Sequence, residues 1–223
     1  MKINFLTIFP EFYKPFQTES IIKRAIEKNL VKLNVVDFRQ FANNKHKKVD
    51  DEVYGGGSGM LLKVEPIDAA LETVGGLKIL LTPQGQTFNQ KLAQKLSNEQ
   101  EITFIAGHYE GFDERVRTLV DMELSLGDFV VTGGELPSLV IADAVIRLVP
   151  GVIKETSHLD DSFSHGMLEY PQYTRPREYK GMKVPEVLLN GNHQAIAKWR
   201  QTKSYEKTAK KRPDLLKRSD DET

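Results

Sequence analysis

Short β-branched apolar runs alternate with helical patterns along the first two-thirds of the chain, and this alternation leaves few folds open. The runs fall at residues 3–9, 33–38, 78–81, 102–106 and 129–132, each with the length and residue types of a strand. Between them, Ile21, Ile22, Ala25 and Ile26 follow Thr18, Phe88 is spaced with Leu92 and Leu96, and Phe112 is spaced with Val116, Leu119 and Val120. Strand and helix in alternation predict an α/β fold: a mostly parallel sheet with helices on both faces. Residues 135–149 carry Pro137 in the first turn and stop at Pro150 and Gly151, the punctuation of a helix. Leu136, Val140, Ala144 and Leu148 recur every four residues along it, so that face is expected to be buried.

Residues 154–171 lose the periodicity and are rich in Ser and Asp, the pattern of a flexible linker. Beyond it, residues 192–202 around Ile196 and Trp199, and then 207–217, read as short basic helices. The expected organisation is a ligand-binding domain at 1–153, a linker at 154–171 and a small all-helical domain at 172–223. Overall the 31 Lys and Arg cancel the 31 Asp and Glu, but residues 1–172 hold 18 basic against 24 acidic side chains and residues 173–223 hold 13 against 7. A basic appendage on an acidic body suits a polyanion, because neutralising phosphates is the main sequence-independent source of nucleic-acid affinity. A solvated helical face is the competing reading. The chain has no cysteine, which excludes a thiolate nucleophile, a disulfide framework and a cysteine-type zinc site. The apolar run at 3–9 is far shorter than the roughly 20 residues of a membrane helix, so neither a signal peptide nor a span is expected and the expected location is cytoplasmic.

Three of the strand patterns run into glycine-containing loops: LLTPQG ending at Gly85, FIAGHYEG with Gly107 and Gly111, and DFVVTGGELP with Gly133 and Gly134. In a parallel sheet the ligand crevice lies beyond the carboxyl ends of the strands, so the three loops are expected to converge on one site. A fourth cluster, residues 55–59, has no such strand before it. It is followed by Met60 and Leu61, which excludes a Walker A loop, and no GxGxxG opens the first helix. Loops of Gly, Leu, Pro and Gln with almost no Lys or Arg suit an uncharged adenine and ribose held by backbone groups and apolar walls. For any one loop, a plain turn is the competing reading.

The strings TPQG (82–85), AGHYEGFDERV (106–116), GDFVVTGGELP (127–137), IRLVPGV (146–152), YTRP (173–176), VPEVLLNGNH (184–193) and KWR (198–200) occur in collinear order over nearly the whole chain. This ordered set resembles the bacterial TrmD-type tRNA guanine-37 methyltransferases of the SPOUT class. The resemblance implies a homodimer with its active site at the subunit interface, S-adenosylmethionine as methyl donor, and methylation of ring nitrogen 1 of the guanine 3′ to the anticodon. It implies a deep trefoil knot in the cofactor loops, and it brings in Mg2+ as a further cofactor, an ion that often uses few protein ligands. It places the cofactor among Leu80, Leu81, Thr82, Pro83, Gln84 and Gly85, among Gly107, Tyr109 and Glu110, and among Ser125, Leu126, Gly127, Asp128, Phe129, Val130, Val131, Gly133 and Gly134. These are the three loops that the strand pattern singles out.

Guanine nitrogen 1 carries a proton at neutral pH, so the reaction needs a base and a group to stabilise the charge that spreads to the neighbouring carbonyl oxygen. Within the resemblance, Arg147 is the candidate for the second task, as a permanently charged planar fork. An arginine that merely complements a helix C-terminus is the competing reading. Where the family pattern has an aspartate before a glycine, this chain has His165 before Gly166, and His165 is a candidate base alongside Asp161, with Asp160 and Glu169 as further alternatives. Arg175, Arg177, Lys198, Arg200, Lys203, Lys210, Lys211 and Arg212 are the candidate phosphate contacts to tRNA. Two other readings remain open at this point: a SPOUT enzyme acting on ribose or ribosomal RNA, and a non-catalytic RNA-binding protein.

Overall fold

A computed structural model of the chain describes residues 1–154 and 161–217. The chain divides into two compact units, Met1–Lys154 and Glu155–Thr223.

The first unit is built on a five-stranded sheet in which every neighbouring pair is parallel. Its strands are β1 (Lys2–Thr7), β2 (Lys32–Asp37), β5 (Leu77–Thr87), β6 (Glu101–Ile105) and β7 (Met122–Ser125), in the order β2-β1-β6-β5-β7. Two short strands, β3 (Asp50–Glu52) and β4 (Met60–Leu62), form a separate antiparallel hairpin, and its loop is the glycine cluster at residues 55–59. Successive residues of the central strands point to opposite faces. Ile3 and Phe5, Ile79 and Leu81, Ile102 and Phe104 face one core with residues of α2 (Ser20–Glu27), which follows the short α1 (Lys14–Thr18), and of α4 (Gln90–Leu96) and α5 (Glu135–Ile146). Leu6, Leu80 and Ile105 face the other with α3 (Val64–Leu71). A sheet buried on both sides needs near-continuous apolar strands, and this is why β1, β5 and β6 stand out in the sequence.

Two elements differ from the sequence expectation. Residues 129–132 are an exposed loop, and the fifth strand is β7, whose short Met-Glu-Leu-Ser run carries little apolar signal. On α5 the buried face is Ser138, Ile141, Ala142, Val145 and Ile146, whereas Leu136 is 51% and Val140 52% exposed. The fourfold apolar stripe read as the core face therefore points away from the core of this chain. The helix is apolar all round, and periodicity alone cannot choose between two apolar faces.

In the second unit the two expected basic helices form one helix, His193–Lys211, followed by a short turn of helix at Asp214–Lys217. Asn192 caps the long helix by accepting from the Ala195 amide at 3.1 Å. The unit is not wholly helical: Glu178–Tyr179 and Met182–Lys183 pair as a small antiparallel ribbon. Residues 161–170 lie along the long helix, where Thr208 Oγ1 accepts from the Leu168 amide at 3.0 Å and Lys207 Nζ donates to the Glu169 carbonyl at 3.0 Å. Asp160 lies outside the described residues. Among the described residues, no helix is long and apolar enough to cross a membrane.

Candidate active site

The carboxyl ends of β5, β6 and β7 bring their loops around a single cavity of about 370 Å3, within the range of small-molecule sites. Leu81 comes from the paired part of β5, and Thr82, Pro83 and Gln84 from the four-residue excursion that follows it. Gly107, Tyr109 and Glu110 come from the loop after β6, Ser125 from the end of β7, and Leu126, Phe129, Val130, Val131, Gly133 and Gly134 from the segment between β7 and α5. The loops touch: the Gly134 amide donates to the Gly107 carbonyl at 2.8 Å, and a Cβ on Gly134 would lie 2.6 Å from the Ala106 Cα. Only glycine permits this approach.

Four residues expected at the cofactor lie off the wall. Leu80 is wholly buried in the opposite core, because β5 alternates its side chains and its neighbour Leu81 takes the cavity side. Gly85 packs against the β7 backbone and lines an adjoining polar hollow. Gly127 and Asp128 belong to the third loop without lining the cavity.

The wall also holds residues that sequence reasoning missed, among them His108, Phe112, Glu114, Arg117 and Pro137. Arg117 is clamped: it donates to Glu114 at 2.9 Å, to Glu123 and to Gln84 Oε1 at 2.8 Å. The Glu114 carboxylate first, and then Glu123, hold its guanidinium above the ordinary arginine range. In the loop after β6, hydrogen bonds from the Arg115 side chain hold the Asp113 carboxyl down at about 2, so this support stays ionised at any physiological pH. Glu110 is tied to the β3–β4 hairpin through its amide, which donates to the Met60 carbonyl at 3.1 Å.

Arg147 is not on this wall. It caps the C-terminal end of α5, while Gly134, at the N-terminal cap, lines the cavity. Twelve residues separate the two ends, about 18 Å at 1.5 Å per residue. In the second unit, Asp161, His165, Glu169 and Arg200 line one hollow of about 310 Å3. Asp161 there is half-buried and His165 exposed. The Arg200 guanidinium lies 4.7 Å from the centre of the Tyr170 ring. Arg175, Arg177, Lys198, Lys210 and Lys211 are exposed, whereas Lys203 pairs with Glu206 at 2.6 Å and Arg212 with Asp214 at 2.7 Å.

The sequence of residues 1–218 matches the family model described as tRNA (Guanine-1)-methyltransferase TrmD. The chain is 62% identical over 222 residues to the tRNA (guanine-N(1)-)-methyltransferase of Mycoplasmopsis synoviae, with 98% of each chain covered. It is 62% identical over 222 residues to the enzyme of the same name from Mycoplasmopsis agalactiae, again with 98% of each covered. With that of Mycoplasmopsis pulmonis the identity is 58% over 219 residues, covering 98% of this chain and 97% of the relative. A collinear match of this extent spans the cavity loops, Arg147 and the basic unit together, and sets aside both the ribose-directed and the non-catalytic readings. The chain belongs to the TrmD family of tRNA (guanine-N1)-methyltransferases.

Proposed function

We propose that this tRNA guanine-N1 methyltransferase takes its methyl group from S-adenosylmethionine, delivers it to the guanine at position 37, and works in the cytoplasm as a homodimer whose active sites combine residues of both subunits. The observation that carries this reading is the convergence of three strand-end loops on one small-molecule cavity in a chain with full-length family membership. The donor set fits: Leu81, Leu126 and Val131 offer apolar wall to an adenine, the loop backbones offer hydrogen-bonding groups, and Glu110 and Glu114 offer negative charge to a cation. When bound, S-adenosylmethionine supplies an electrophilic methyl group on a sulfonium. A trefoil knot in the loops that meet at Gly134, Ala106 and Gly107 belongs to this proposal through the family membership. Magnesium stays in this proposal as an ion that would need few protein ligands, and no step below is routed through it.

The protein's tasks are to orient the guanine, remove its nitrogen 1 proton and stabilise the resulting charge on the carbonyl oxygen. Asp161 is the proposed base, since it is half-buried in the hollow it shares with the exposed His165. Arg147 is the proposed partner of the developing oxyanion. Arg147 lies ten residues beyond Pro137, the last residue of α5 on the cavity wall, about 15 Å of helix rise, so the second subunit is assigned the task of delivering it. The exposed Leu136 and Val140 are the proposed contact face, since an apolar stripe beside a cavity marks a surface that another chain covers. Arg175, Arg177, Lys198, Arg200, Lys210 and Lys211 hold tRNA phosphates, and Lys203 and Arg212 join them by exchanging their carboxylate partners for phosphate.

Labelled methyl transfer to anticodon stem-loop RNA, followed by nucleoside analysis, tests the reading. Product is expected as 1-methylguanosine at position 37 and none on an RNA with adenine there; label found on ribose would refute it. Asp161→Ala is expected to lower transfer by about a hundredfold and His165→Ala by less than about threefold. The reverse order would reassign the base. Replacing Leu136 and Val140 together by Asp is expected to give a monomer in analytical ultracentrifugation and to abolish transfer, because like charges would meet across a two-fold interface. A fully active dimeric variant would move the interface elsewhere.

A further inference from the structure

Behind the cavity wall lies a carboxylate that the reaction above does not use. Glu135 is 2% exposed, and both of its oxygens are taken: Thr7 Oγ1 donates to Oε1 at 2.5 Å, and His108 Nε2 lies 2.6 Å from Oε2. A carboxylate oxygen only accepts, so the imidazole donates to it from Nε2. Thr7 in turn accepts the Phe9 amide at 2.8 Å, and the Phe9 ring meets the His108 ring edge-on at 4.6 Å. The network ties the end of β1, the loop after β6 and the first turn of α5 into one unit, and His108 is itself part of the cavity wall.

Burying a carboxylate is costly, and a glutamine or an apolar residue would fill the same space more cheaply. Here the first turn of α5 offsets part of the cost, because the helix dipole favours an anion at that end. The wall at this point is also thin. A Cβ added to Gly133, which lines the cavity, would lie 2.3 Å from the His108 ring and 2.7 Å from Glu135 Oε2. The carboxylate thus stands directly behind a residue without a side chain, in a water-poor setting where a charge acts over several ångströms.

We infer that Glu135 is a positioning residue for the donor cavity: through His108 it locks two cavity loops together, and its buried charge biases the cavity toward a cationic sulfonium over the neutral thioether left after transfer. The bias favours exchange of spent product for fresh donor. The inference rests on the reading of the cavity as the S-adenosylmethionine site. A wild-type protein that bound neither S-adenosylmethionine nor S-adenosylhomocysteine would therefore overturn that reading, whatever the variants did.

The test is calorimetric affinity for both ligands at pH 8 in wild type, Glu135→Gln and Thr7→Val, with melting temperatures recorded alongside. Glu135→Gln removes the charge at nearly constant shape and is expected to weaken S-adenosylmethionine about tenfold and S-adenosylhomocysteine less than about threefold. Thr7→Val keeps the charge while removing one of its hydrogen bonds, and is expected to leave the ratio of the two affinities within about twofold of wild type. Equal weakening of both ligands in Glu135→Gln would overturn the inference, since a purely structural role predicts it. Where Glu135→Gln does not fold, a shift of the ratio in Thr7→Val beyond about threefold would do the same.

Discussion

Arg147→Ala is expected to lower methyl transfer by about a hundred- to a thousandfold while leaving affinity for S-adenosylmethionine within about twofold. The two halves of the expectation have separate causes. A guanidinium that meets the guanine carbonyl oxygen only as charge develops contributes to the transition state and little to donor binding. Within its own chain the donor cavity is at the far end of α5, and the arginine proposed to come from the partner subunit meets the guanine and not the donor. Subunit mixing gives the sharper form. Thr82→Arg places a long cation in the cavity and is expected to abolish donor binding. Neither Arg147→Ala nor Thr82→Arg homodimers should transfer methyl groups. Coexpressed in equal amounts, they should regain about a quarter of wild-type activity, because half of a statistical mixture is heterodimer and one of its two sites is whole. No recovery in heterodimers whose formation is demonstrated would mean that each chain supplies its own arginine, against the length of α5.

The second large effect is expected at Gly134. Its backbone angles are ordinary, so the demand for glycine is one of space alone. A methyl group there would lie 2.6 Å from the Ala106 Cα and 2.7 Å from the Gly107 amide nitrogen, both backbone atoms at the end of a central strand. Neither can swing aside as a side chain could. Gly134→Ala is expected to cost about 3 kcal/mol, the upper part of the range for overpacking. For a chain of this size that lowers the melting temperature by about 6–12 °C. Donor affinity should fall with it, since forcing the contact apart also breaks the bond from the Gly134 amide to the Gly107 carbonyl. Differential scanning calorimetry with and without donor measures both, and a melting temperature within about 2 °C of wild type would show that the loops have slack.

The parts of the fold legible in the sequence were those where apolar residues serve only the core. β1, β5 and β6 are buried on both faces and announce themselves as runs. Where apolar residues serve another surface, the same signal misleads. Phe129, Val130 and Val131 read as a strand yet line the cavity from an exposed loop. Leu136 and Val140 read as the core face of α5 yet stand in solvent in the single chain. The glycine loops marked the cavity because close backbone approach has a residue-level signature. The His108–Glu135 pair had none, being 27 positions apart and joined only by how the loops fold back. The helix signals at 135–149 did place Arg147 at the far end of a rod from Gly133 and Gly134.

The excursion in β5 has a consequence for how the family can vary. Leu81 pairs with Leu124 on β7 before the excursion, and Gln86 pairs with the same Leu124 after it. Thr82 to Gly85 are thus a closed handle with both feet on one residue, and closing so short a handle leaves almost no freedom of contour. An added residue would have to bulge out between the two feet or shift the register of β5 against β7, which turns later side chains to the wrong side. Gly85 is fixed as well, since a Cβ there would lie 2.5 Å from the β7 backbone at Glu123, so only the side chains of Thr82, Pro83 and Gln84 are left to set how this handle meets a ligand.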